Sequence, residues 1–272
     1  MKNTIILFFA LAFIAGCKPD SSKSDTQQAA ENHASPVLLA GYWIAMDFCA
    51  RANQYGSVLS AMNYAHTPYA YAFEFDPNKP DSVICYNGFE SWTLPVIFKR
   101  DTLEVKGASQ NKSVFLMYDS KGSKEMTLFD GTQGTMKMDR FVKSKAEVQD
   151  GYSAFKAALN HNLFGGLMLP IGKGGTGRDT AIFAPDGFIL KWGEYSKYSV
   201  CTGGDCFVGE EAIDIITLSR HDKPDSEKMF GFRYNGTNDT LTFYNLVNTR
   251  PNEKYAYEIK GPAYRFRHVA PK

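Results

Sequence analysis

Residues 172–179 read GKGGTGRD: a glycine, four residues, a second glycine, then Arg178 and Asp179. A nucleotide phosphate loop has that glycine spacing but continues with Lys and then Ser or Thr, which hold the phosphates and their magnesium. It also leads into a helix N-terminus, whose backbone N–H groups face the anion. Neither condition is met. Arg178 replaces the lysine, and Asp179 puts a negative charge where phosphate would sit. The residues that follow, TAIFAPDGFILKWG (180–193), read as a hairpin turning at Ala184-Pro185-Asp186-Gly187. The stretch is expected to be a loop and not a nucleotide site.

The other chemistry-bearing residues give no catalytic pattern. The five histidines, His33, His66, His161, His221 and His268, form no HExxH or HxH pair, so a hydrolytic metal has no visible ligand set. No GxSxG elbow occurs. Glu210, Glu211 and Asp214 form the tightest acidic group. A glycosidase needs two carboxylates facing each other across a cleft, whereas neighbours on a strand point to opposite faces. These acids are expected at a loop and strand edge exposed to water. DPNKPD and NGTND offer oxygen ligands but lack the DxDxDG run of a calcium loop, and they read as turns. The expectation is no catalytic residue, no metal and no cofactor. The aromatic side chains are core material first. Tyr69, Tyr71, Trp92 and Trp192 would be the ones to line a pocket at a barrel mouth.

Strand-like segments must position whatever site there is. GYWIAMDF (41–48), AYAFEFD (70–76), DSVICYN (81–87), SWTLPVIF (91–98), TLEVKG (102–107), SVFLMYD (113–119), EMTLF (125–129) and TMKMDRFVK (135–143) alternate or carry β-branched and aromatic residues. Turn signals such as Asn87-Gly88 and Asp130-Gly131 separate them. After the 180–193 hairpin the same grammar resumes in KYSVC, AIDIITLSR, KMFGFRYN, DTLTFYNL, YAYEIKG and AYRFRHV. Many short strands at this spacing predict a mainly β chain of barrels or sandwiches. Two stretches are expected to be helical. ARANQYGSVLSAMNYA (50–65) places Tyr55, Val58, Leu59 and Met62 on one face. SKAEVQDGYSAFKAALNHNLF (144–164) carries a capping-box pattern in Ser144 and Glu147. It is read as a connector packed on one of two β domains, 37–143 and 164–272, with the helix over 144–163. A single two-sheet fold of about sixteen strands is the alternative. A precursor charge of +1 leaves no basic footprint for nucleic acid.

The N-terminus sets the location. Lys2 precedes an apolar run from Thr4 to Ala15, shorter than the roughly 20 residues that span a bilayer and matching a signal peptide over 1–16. Ile14-Ala15-Gly16-Cys17 resembles the lipobox of bacterial lipoproteins. That resemblance implies cleavage before Cys17 and a lipid on Cys17, which anchors the protein to a membrane of the cell envelope, the outer membrane first, on its periplasmic or surface face. Residues 17–36 are polar and are expected to be a flexible tether. An exported protein meets an oxidising compartment in many bacteria. Cys49, Cys85, Cys201 and Cys206 then permit two disulfides in three connectivities. Cys201 and Cys206 enclose TGGD, which suits a hairpin staple. Cys49 with Cys85 would tie the first half, and buried free thiols are the alternative.

Leu39-Ala40-Gly41-Tyr42-Trp43 resembles the Gly-x-Trp opening strand of lipocalins and lipocalin-like envelope proteins, and Arg140 in MDRF stands where that superfamily packs a basic residue over the Trp. The resemblance implies two tandem antiparallel lipocalin-like barrels joined by the helix, with Gly41, Trp43 and Arg140 closing the first. The second half departs from it, with Leu167 where the Trp would stand. In such barrels the long first loop lies over the mouth, which makes Gly172, Gly174, Gly175, Gly177 and Arg178 a lid candidate. In style the chain also resembles envelope lipoproteins of Bacteroidetes-type bacteria. The expected function is non-catalytic binding of a small ligand or another envelope protein. An envelope enzyme such as a glycan hydrolase and a purely structural lipoprotein are the alternatives.

Overall fold

Alternation of buried and exposed side chains builds the first half. Its eight strands are β1 (Gly41–Ala45), β2 (Ala72–Phe75), β3 (Ser82–Tyr86), β4 (Ser91–Lys99), β5 (Thr102–Ser109), β6 (Lys112–Tyr118), β7 (Glu125–Asp130) and β8 (Lys137–Lys143). Each pairs antiparallel with the next, and β8 returns to β1 through Trp43–Lys143, Ile44–Val142 and Ala45–Phe141, so the sheet is a closed barrel. The buried members of the alternation fill its interior: Trp43, Phe73, Leu103, Leu116, Leu128 and Phe141. The structure, a computed structural model, describes residues 36–63, 67–110, 112–118, 124–132, 134–171, 180–193, 195–203, 213–220, 222–223, 226–236, 239–252 and 256–269. All of them fall within one compact unit, Asn32–Lys272.

The second half repeats the meander. Its strands are β9 (Gly166–Pro170), β10 (Ala181–Phe183), β11 (Ile189–Leu190), β12 (Tyr195–Val200), β13 (Asp214–Arg220), β14 (Glu227–Asn235), β15 (Thr240–Asn248) and β16 (Tyr257–Val269). β16 closes back onto β9, and the seam between β11 and β12 is bridged at Phe188–Lys197. The two strands expected over 255–269 are one, kinked where the register slips and Gly261 adopts φ 111°. The interior is aromatic: Phe183, Phe230, Phe232, Phe243 and Phe266 are fully buried. Trp192 packs on Tyr264, Tyr195 and Phe266 at ring-centroid distances of 4.9, 5.1 and 5.1 Å. Two eight-stranded barrel-like sheets, and not one sixteen-stranded sandwich, are therefore the architecture.

The helices differ from the sequence reading in their boundaries. The first strand stops at Ala45, and Met46 opens α2 (Met46–Tyr55), which buries Phe48, Cys49 and Ala52. Gly56 ends α2 in the left-handed region at φ 59°, and a separate α3 (Val58–Asn63) follows. A four-residue α1 (Pro36–Leu39) precedes β1. The connector α4 runs Gly151–Phe164, and its cap is Asp150, whose side chain accepts from Ser153 N at 2.6 Å. Ser144 is not the cap, because its N–H extends the β8–β1 ladder to Tyr42 O. Nor does α4 pack on one barrel. Phe155 stacks on Tyr71 beside the first barrel (4.6 Å, 12°), and Phe164 meets Phe183, Tyr198 and Phe232 of the second at 5.8, 5.7 and 5.4 Å.

The barrel-closing trio is rearranged. Trp43 is fully buried and donates from Nε1 to Leu39 O at 2.7 Å. Directly opposite Trp43 in the ladder is Lys143, whose Nζ stands 6.0 Å from the indole centroid. Arg140 is an odd number of residues from Lys143 and so projects from the other face of β8. There it bonds Asp47 at 3.2 Å and Glu125 at 3.0 Å. Gly41, at φ 112°, leaves room for Lys143, whose Cε a Cβ would meet at 3.2 Å.

Candidate functional site

The end of the second barrel nearest α4 is where the two halves meet, and glycines let them approach. α4 leaves through Gly165 and Gly166. A Cβ on Gly166, which holds φ 128°, would come within 2.6 Å of His268 Nε2, and one on Gly165 within 2.9 Å of His161 Nδ1. His268 Nε2 lies 2.9 Å from Gly165 O, and Gly165 N donates to His161 O at 2.9 Å. The two imidazoles therefore flank one tight backbone exit. Across from them, Gly56 rests on Tyr234, whose Cβ would lie 2.6 Å from a Cβ added there. Tyr234 in turn donates to Asp239 at 2.9 Å.

A cleft of about 290 Å³ opens between these elements, lined by Asn53, His161, Asn162, Leu163, Gly165, Tyr234 and His268. Among the described residues its walls carry amide, imidazole and phenol groups and no Asp, Glu, Lys or Arg. Tyr234 also borders a neighbouring hollow of about 250 Å³, reached by Gly56, Ser57, Ser60, Asp214 and Arg233. Burial pushes the Asp214 carboxyl up, against the pull of the Ser57 hydroxyl and nearby backbone N–H groups. Asp214 is only 5% exposed, and its Oδ1 accepts from Val58 N at 2.8 Å and Leu59 N at 3.0 Å. A carboxylate of the second barrel thus caps a helix of the first half. The expectation that Asp214 sits at a water-exposed edge is corrected, because the residue lies at the junction of the halves. Glu210 and Glu211 lie outside the described residues.

Further contacts hold the halves together. Thr202 donates to Gly88 O at 3.1 Å, Lys156 to Ser199 at 3.1 Å, and Asn160 to Pro185 O at 2.9 Å. Gly88 must be glycine, since a Cβ would fall 2.4 Å from Thr202 O. The cleft is therefore walled by elements already fixed against each other.

Of the remaining sequence-derived sites, those among the described residues lie away from this cleft. Cys49 on α2 and Cys85 on β3 are free, buried thiols, not a disulfide. Burial pushes both thiols well above their ordinary range, and for Cys49 the Asp139 carboxylate adds to the effect. Cys201 is disulfide-bonded, while Cys206, Cys17 and the lid candidate 172–179 lie outside the described residues. Tyr69 and Trp92 do meet, Trp92 Nε1 donating to Tyr69 Oη at 3.1 Å, but neither lines the cleft. Tyr71 and Trp192 are packed against other rings. Among the described residues no group of three or more His, Cys, Asp or Glu could hold a metal ion. Asn53 and Tyr234 were not singled out by the sequence, and nothing in their spacing from His161 and His268 signals that they converge. No protein-family model, no curated protein and no solved structure matches the chain.

Proposed function

We propose that the chain is a lipid-anchored protein of the bacterial cell envelope, held through Cys17 and its polar tether, that works by binding and not by catalysis. Its binding site is the cleft between the barrels, and its ligand is a neutral polar group, carried either by a small molecule or by another envelope protein. The observation that carries this reading is that large aromatic side chains occupy both barrel interiors while the inter-barrel cleft stays open. Ligand sites favour such junctions, and amide, imidazole and phenol groups, with no Asp, Glu, Lys or Arg among the described lining residues, suit a neutral polar ligand. The glycan-hydrolase reading needs two facing carboxylates. Among the described residues the first cleft has none, and in the second hollow Asp214 is already engaged by Val58 and Leu59.

The test is ligand-observed NMR and thermal shift on the purified full chain against neutral saccharides, lipids and haem, with photo-cross-linking in intact envelopes for a protein partner. Asn53→Trp, which fills the cleft from an exposed position, should abolish whichever interaction is found. An interaction that survives this substitution, or no interaction in either format, would sink the reading. The anchor is checked separately by mass spectrometry of the N-terminal peptide for acylated Cys17. Reduction of a Cys201–Cys206 staple should expose two further thiols.

A further inference from the structure

The outer face of the first barrel carries an apolar row that the binding cleft does not use. In an antiparallel ladder, directly opposed residues share a face. The registers Ile97–Glu104, Glu104–Phe115, Phe115–Phe129 and Phe129–Met138 therefore run one line across five strands, β4 to β8. Four of its five members are apolar, and they alternate with the buried core set, so they point outward. Ile97 is 36% exposed and Met138 61%, with Met117 at 47% and Met136 at 59% beside them. The one charged member, Glu104, is taken up by Lys99 at 2.5 Å and Ser113 at 2.9 Å. α4 packs elsewhere, its Gly151 lying against Tyr86 and Ala72 on β3 and β2.

Charge is concentrated around the same strands. The described part of 91–143 holds eight Lys or Arg against five Asp or Glu. Two of those acids, Asp130 and Asp139, are buried, whereas the whole chain is nearly neutral at +1. Lys106 is exposed on the same face as Glu104, and Lys112, of the opposite parity, is exposed at the barrel rim, where its Nζ donates to Thr132 O at 3.1 Å. An apolar centre with a cationic surround fits the interface of a bilayer that contains anionic lipid, where apolar side chains enter the headgroup boundary and lysines meet the phosphates.

We propose that this face of the first barrel lies against an anionic bilayer. The inference rests on the envelope-anchored reading in that the anchor supplies the bilayer. Nineteen residues separate Cys17 from the start of α1 at Pro36 if the anchor residue is counted, a reach of up to roughly 65 Å, enough to lay either side of the body down. The face then fixes the protein's orientation and leaves the inter-barrel cleft available.

The test is vesicle co-sedimentation of the chain from Lys18 onward, the proposed mature form without its lipid, with and without Ile97→Glu, Met117→Glu and Met138→Glu together. Both proteins lack the apolar run Thr4–Ala15, which would bind vesicles by itself. On vesicles of phosphatidylethanolamine and phosphatidylglycerol, the triple substitution should lower partitioning roughly tenfold, the effect of withdrawing a modest apolar area from the interface. Vesicles of phosphatidylcholine alone should bind the parent chain more weakly. Hydrogen exchange on the unsubstituted face gives a readout independent of the triple variant's folding: vesicles should protect 91–143. Equal partitioning of the two proteins, or protection confined to other segments, overturns the proposal. So does a dimer in vesicle-free sedimentation that the triple substitution dissolves, which would assign the face to a second copy. Failure of the anchor reading would leave Cys17 unacylated in cells without altering these vesicle results.

Discussion

Asp139 is the residue whose environment is least comfortable. It is 1% exposed inside the first barrel, bonds Arg51 at 3.3 Å, and its Oδ1 has no hydrogen-bond partner among the described residues. Burial pushes its carboxyl from 3.8 up to about 6, although Arg51 pulls it down. The folded state thus holds the proton more tightly than the unfolded chain does. This group's contribution to stability is complete below about pH 4 and is lost as pH rises through about 6. The loss is on the order of 3 kcal/mol. Asp139→Asn should flatten that slope in urea titrations between pH 4 and 7, and an unchanged slope would assign it to other groups. Cys49 and Cys85 make a second residue-scale prediction. Their buried thiols should react with a disulfide reagent at pH 8 only as fast as the protein opens, and urea should accelerate both together. Cys85 was legible as a strand residue, but not as unpaired, because a cysteine's type does not reveal its distance from another.

Among the elements, backbone conformation separates two glycines that look alike in sequence. Gly56 holds φ 59° and lies against the root of Tyr234, whereas Gly107 holds φ 72° with nothing within 4 Å. Both glycine-to-alanine changes incur left-handed strain of about 1 kcal/mol. Gly56→Ala must also displace Tyr234 from the cleft wall, so its loss should be larger, about 2–4 kcal/mol. Chemical denaturation of the two variants compares them directly, and equal losses would mean Tyr234 yields freely. Strand positions were largely legible because period-two alternation follows from the pleat itself. Helix starts were less so. Ser144 and Glu147 match a capping box, yet Ser144 N is spent on the β1 ladder, and the helix waits for Asp150. Sheet pairing overrode a local signal. Arg140 shows the same limit, since it stands within three residues of the cation that faces Trp43 but has the wrong parity.

At the scale of the whole molecule, α4 joins the barrels through Phe155 at one end and Phe164 at the other. With Asp214 capping α3 from the second barrel, the halves should unfold in one cooperative transition. Phe164→Ala should lower stability by about 3–5 kcal/mol and split calorimetric unfolding into two steps. A single step that simply moves to lower temperature would show that the remaining contacts suffice to couple the barrels. The β content, two runs of about eight strands and the joining helix were readable from the chain alone, because each follows from local periodicity and turn chemistry. The fold itself was needed to show that the first meander closes and the second nearly does, that large aromatic side chains lie inside both, and that Asn53, His161, Tyr234 and His268 wall one cleft. Those residues lie up to the length of the body apart in the chain. What brings them together is the approach of backbones at Gly56, Gly165 and Gly166, and close approach depends on packing between elements that no local pattern encodes.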